Sequence, residues 1–184
     1  PPEKEDVPTL VYVARLKRAK FPDHALRVFA LVKRRLPSAQ LWVIGDGYMR
    51  ASLERSAPDG TTFFGRIPDE AKAALLRRAH ILLAPAVREG WSLAVLEANA
   101  CGTPAIGYRV PGLQDSIRHE ETGFLVPFGN VDELANHAVA LLEEPSRRIE
   151  LAANALRWAG EFNWDRTATR LLDCLQGRVG LGVT

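Results

Sequence analysis

Short β-branched apolar runs alternate with amphipathic segments along most of the chain, which restricts the fold to a parallel sheet clothed in helices. TLVYVA (9–14) precedes FPDHALRVFALVKRRLP (21–37), where Ala25, Val28, Phe29 and Val32 recur at helical spacing and a proline sits near the first turn. QLWVIG (40–45) leads to a short helix from Met49 to about Arg55, and TTFFG (61–65) to the helix DEAKAALLRRA (69–79). HILLAP (80–85) is followed by a helix starting near Ser92, then by the strand PAIGY (104–108). GFLVP (123–127) precedes two or three closing helices, with Trp164 expected to anchor the last of them. Right-handed strand–helix–strand crossovers then give an α/β, Rossmann-like three-layer domain with a parallel sheet. The 184 residues suffice for one such domain, placed at 9–184. PPEKEDVP (1–8) is proline-rich, charged and aperiodic, and reads as a linker from something that precedes it.

Composition excludes several classes. An apolar fraction of 47% and a charged fraction of 25% are those of a folded soluble protein. A net charge of +2, with basic residues scattered over helix faces, argues against a nucleic-acid surface. No apolar run approaches membrane-spanning length and no secretory leader pattern opens the chain. Cys101 and Cys174 lack CxxC partners and read as buried thiols, which suggests a cytoplasmic protein.

In an open parallel sheet, ligands bind beyond the carboxyl ends of the strands. The first strand is followed there by Arg15, Lys17, Arg18 and Lys20, the second by Gly45-Asp46-Gly47, and the third by Gly65, Arg66 and Ile67. After the fourth come Glu89, Gly90, Trp91 and Ser92, then a helix that carries Glu97 among Leu93, Val95, Leu96 and Ala98. Free N–H groups at about 92–95 would favour an anion. Glu97, leaning back toward that mouth, suits a ribose diol, and Glu89 the hydroxyls of a second sugar-like group. Arg15 and Lys20 offer the charge that holds a diphosphate. Neither a dinucleotide fingerprint nor a Walker motif is present. His24, His80, His119 and His137 are not spaced for a metal or a triad, and no Asp-x-Asp pair could clamp a metal-bound diphosphate.

These motifs together resemble the retaining glycosyltransferases of the two-domain GT-B fold, family 4. EGWSLAVLEANACGTPAI is similar to that family's E-x7-E segment, VYVARLKRAK to its xYVGRLxxxKG, and LWVIGDG to its LxIVGDGP. FFGRI, VPGLQDSIRHEETGFLVP and FNWDRTA follow in the family's order. The resemblance implies a C-terminal, donor-binding domain whose N-terminal, acceptor-binding partner is absent from this chain. It implies no cofactor and no essential metal, a nucleotide-sugar donor, and membrane contact only through the absent half, at the inner face of the membrane. By motif position Arg15, Lys20, Ser92 and Leu93 would bind the donor diphosphate. Glu89 would be the catalytic and sugar-binding carboxylate, with Gly90 and Trp91 beside it. Glu97 would hold the ribose, Arg66 and Ile67 would flank the base, and Gly45 and Gly47 would lie in a loop near the donor.

Three positions depart from the family pattern: Ala14 and Phe21-Pro22 where glycines stand, and Ser92 for the loop's second glycine. They leave open which of Lys17, Arg18 and Lys20 is the main phosphate ligand. A GT-B sugar-nucleotide 2-epimerase and a non-catalytic nucleotide-binding module are the rival readings.

Overall fold

The computed structural model describes residues 3–87 and 90–176. Six parallel strands, β1 (Thr9–Val13), β2 (Gln40–Ile44), β3 (Thr61–Gly65), β4 (Ile81–Ala84), β5 (Ala105–Tyr108) and β6 (Gly123–Val126), form one sheet in the order β3-β2-β1-β4-β5-β6. Between them lie α1 (Pro22–Arg35), α2 (Arg50–Ser56), α3 (Asp69–Arg78), α4 (Leu93–Ala100) and the four-residue α5 (Leu113–Ser116). Helices α6 (Val131–Glu143), α7 (Pro145–Gly160) and α8 (Trp164–Leu175) follow β6.

The strand order reverses between β1 and β4. Right-handed crossovers on either side of that reversal put α1 and α2 on one face and α3 and α4 on the other. Helix α1 packs on α6, and α4 packs on α7 and α3. Buried on both faces, the central strands carry unbroken apolar runs, with Leu10, Val11, Leu82 and Ile106 at the centre of the core. The outermost β3 instead alternates its exposure residue by residue.

The strands end sooner than their apolar runs suggest: Ala14, Gly45, Pro85 and Pro127 fall outside them. The 3-10 turn Arg18–Lys20 and helix α5 are too short for periodicity to reveal. Residues 4–8 are less independent than a linker reading implies. Lys4 Nζ donates to the carbonyls of Ala79 (2.7 Å) and Gly102 (3.0 Å) and to Thr103 Oγ1 (2.8 Å). The N–H of Glu5 donates to Arg78 O, and that of Gln40 to Pro8 O.

Two expectations are corrected. Trp164 does not anchor α8: it is 87% exposed, and no residue of that helix is buried. The packing role belongs to Trp158, whose Nε1–H donates to Ser116 O at 3.0 Å. Cys101 is buried as expected, but Cys174 on α8 is only partly so.

Candidate functional site

The loop after β1 is stitched to the loop after β2. The N–H of Ala14 donates to Ile44 O (3.1 Å), that of Leu16 to Asp46 O (2.9 Å), and that of Met49 to Leu16 O (3.2 Å). Such pairing needs bare backbone opposite. A Cβ on Gly45 would stand 2.0 Å from Ala14 O, and one on Gly47 2.4 Å from Leu16 O. Gly45 and Gly47 thus hold the loop that carries Arg15 and Lys17 by letting two backbones touch. Arg15 itself is exposed, and Leu16 is fully buried beneath the loop.

The loop closes on Phe21, where the resembled family has glycine. Phe21 is in the left-handed conformation (φ 46°, ψ 51°), and Pro22 opens α1 directly after it. A left-handed non-glycine residue costs about 1–2 kcal/mol. Ring contacts offset this: the Phe21 ring lies 4.7 Å from that of His24 and 5.5 Å from that of Phe128. Tyr108, whose Oη is 2.7 Å from His24 Nδ1, completes the cluster. Burial pushes the Tyr108 phenol up to about 12 and His24 below its ordinary value, so both are neutral near pH 7.

Across the sheet's reversal point, Ala14, Lys20, Pro85, Ala86, Ser92 and Ala94 line a small cleft between the ends of β1 and β4. Lys20 and Ser92, seventy-two positions apart in sequence, are therefore brought to one place. Tyr12 Oη donates to Lys20 O at 3.0 Å and fixes the lysine's backbone. Ser92 is buried and is the N-cap of α4, yet its side chain makes no capping bond. Its carbonyl accepts from the N–H of Val95 (3.0 Å) and Leu96 (3.2 Å), so the helix's unbonded amides lie before Val95. That is a narrower donor set than the 92–95 expected. Leu93, the first residue of α4, is 68% exposed. Arg15, Arg66 and Glu97 stand outside the cleft lining.

Glu97 has a partner the sequence did not disclose. Lys72 Nζ, on α3, lies 2.9 Å from Glu97 Oε1 and 3.0 Å from Asp69 Oδ1. Burial alone would lower the lysine's pKa, but the hydrogen bonds to Glu97 and then Asp69 outweigh it and raise it. The ammonium thus lets a carboxylate sit among apolar neighbours, and fixes which way it points. Lys72 lies on another helix, twenty-five positions from Glu97, so no local signal marked it.

Trp91 turns its ring to the end of α7, 5.0 Å from Phe162, which meets Trp158 at 4.6 Å. Gly90 is exposed. Arg66 is also exposed, whereas Ile67 packs on the core. Glu89, expected as the catalytic carboxylate, lies outside the described residues. The histidines have structural partners: His80 Nδ1 accepts from the N–H of Thr9 (3.0 Å), His119 Nδ1 from that of Leu125 (3.1 Å), and His137 stacks on Phe124. Among the described residues no three His, Cys, Asp or Glu side chains gather in a way that could hold a metal ion. None of the described helices is long and apolar enough to cross a membrane.

The family model for glycosyl transferases group 1 matches residues 1–158. The D-inositol 3-phosphate glycosyltransferase of Rhodococcus opacus is 34% identical over 176 residues, which is 89% of this chain and 40% of that protein. The chain thus spans about two fifths of the length of this relative. Sucrose-phosphate synthase from Thermosynechococcus elongatus superposes with a TM-score of 0.82 at 29% identity, over 94% of this chain and 45% of that one. The pneumococcal O-GlcNAc transferase GtfA, solved with UDP and GlcNAc, gives a TM-score of 0.83 at 20% identity, over 95% and 36%. With its six-stranded Rossmann-like sheet of the GT-B kind, the chain belongs to the glycosyl transferases group 1 family.

Proposed function

We propose that the chain is the donor-binding half of a retaining glycosyltransferase, which moves a sugar from a nucleotide-diphosphate sugar to an acceptor hydroxyl. The observation that carries this reading is the meeting of Lys20, Ser92 and the unbonded amides of α4 at the β1/β4 reversal point, in a member of a glycosyltransferase family. The diphosphate lies between Lys20 and Arg15 on one side and the α4 amides on the other. As the sugar leaves, the charge that grows on the diphosphate meets fixed donors and needs no metal clamp. GtfA's complex with UDP and GlcNAc supports a ligand of this class. Glu97, steadied by Lys72, receives the ribose hydroxyls, and Arg66 and Ile67 flank the base. Glu89 and the Gly90–Trp91 segment face the donor sugar. The acceptor binds to another part of the protein, and the reaction is cytoplasmic.

Calorimetry on this chain with UDP, GDP, ADP and their glucose esters tests the reading. One diphosphate series should bind weakly, survive EDTA and weaken with salt. No sugar should pass to a simple acceptor. Glu97→Gln should weaken diphosphate and sugar ester alike by about 1–3 kcal/mol, and the 2′-deoxy nucleotide should abolish most of that difference. Lys72→Met removes the ion pair but keeps the carboxylate, so it separates loss of stability from loss of contact. If no diphosphate binds, or if chelation ends binding and magnesium restores it, the reading fails.

A further inference from the structure

Among the described residues, Gly90–Ser92, which lead into α4, show few side-chain contacts. A Cβ at Gly90 would meet nothing within 4 Å, and Ser92 makes no side-chain cap. The exception is Trp91. Its ring sits 5.0 Å from Phe162 at 63°, and Phe162 sits 4.6 Å from Trp158 at 90°. Trp158 is in turn grounded on the segment after β5. Its Nε1–H donates to Ser116 O at 3.0 Å, and the Arg118 guanidinium lies 3.8 Å from its ring centroid. Stiff aromatic side chains with few rotatable bonds transmit position well, and edge-to-face contacts at these spacings are favourable.

We propose that Phe162 is a positioning residue for the sugar end of the site: it fixes Gly90–Ser92, the residues that lead into α4, through Trp91, a role that rests on the donor reading above. Trp91 is then an anchor for the loop's backbone rather than a platform on which a sugar stacks. Phe162 lies two residues beyond the end of α7 and directly precedes Asn163, the N-cap of α8. The position of Trp91 is therefore set by a residue seventy-one positions away, between α7 and α8, in a segment that lines no part of the cleft.

The test compares Phe162→Ala and Phe162→Tyr with the unaltered chain by amide hydrogen exchange and by calorimetry against UDP, GDP, ADP and their glucose esters. Phe162→Ala should speed exchange at residues 90–93 about tenfold and leave β1 and β2 unchanged. It should weaken the bound glucose ester about tenfold and its bare diphosphate by no more than about twofold, because only the sugar end is misplaced. Phe162→Tyr should restore both. Unaltered loop exchange in Phe162→Ala overturns the proposal, as does equal weakening of diphosphate and ester. If the loop loosens while the unaltered chain binds none of the nucleotides, the donor reading falls and the aromatic anchor stands.

Discussion

Phe21 sets two effects against each other at one residue. Its left-handed backbone is strained, while its ring holds the loop to His24 and Phe128. Phe21→Gly and Phe21→Ala lose the same ring contacts, but only alanine keeps the strain. The glycine variant should therefore be the more stable of the two by about 1 kcal/mol, or about 2–4 °C in Tm for a chain of this length. Equal melting temperatures would mean that the backbone relaxes in both. The departure from glycine at this point was legible in the sequence, but its conformation was not, because the Phe128 ring that helps to stabilise it, 5.5 Å away in space, is 107 positions away in sequence. Glu97 teaches the same lesson. Its apolar neighbours were legible along the chain, but Lys72, the charge that makes them tolerable, belongs to another helix.

At the scale of the element, the end of the sheet opposite the cleft gathers cations. The His80 ring just before β4 feels both Arg148 on α7 and the Lys4 ammonium beside α3, and Lys4 in turn feels Arg148. Burial, with Arg148 and Lys4 behind it, lowers His80 to about 4. The unfolded chain then takes up a proton near pH 6.5 while the folded chain resists it until about 4. Stability contributed by the neutral ring is whole above 6.5 and is lost as the pH falls toward 4, by about 3 kcal/mol. His80→Asn can still accept from the Thr9 N–H, since its Oδ1 replaces Nδ1, but it cannot titrate. Urea unfolding from pH 7 to 4 should show that slope in the unaltered chain and a flatter one in the variant; parallel curves would refute it. Strands and long helices could be read from period and β-branched content. The 3-10 turn and α5 could not, for one turn holds too few residues to show a period.

For the whole molecule, alternation in the sequence and the handedness of crossovers gave the parallel sheet, and the pairing of β1 with β4 located the reversal that makes the cleft. Helix α8 stands apart from this body. It has an asparagine cap and an ion pair between Arg166 and Glu161, but no buried side chain, and Leu171, Leu172 and Leu175 are all exposed. A twelve-residue helix with no buried side chain lies at the margin of helix stability in water. A protease needs an extended strand of substrate, so it reports how often a segment unravels rather than how exposed it looks in its folded form. Chymotrypsin should cut first after Trp164, Leu171 or Leu172. The trimmed product would retain Phe162 and its aromatic neighbours, and with them the melting temperature and nucleotide affinity of the uncut chain.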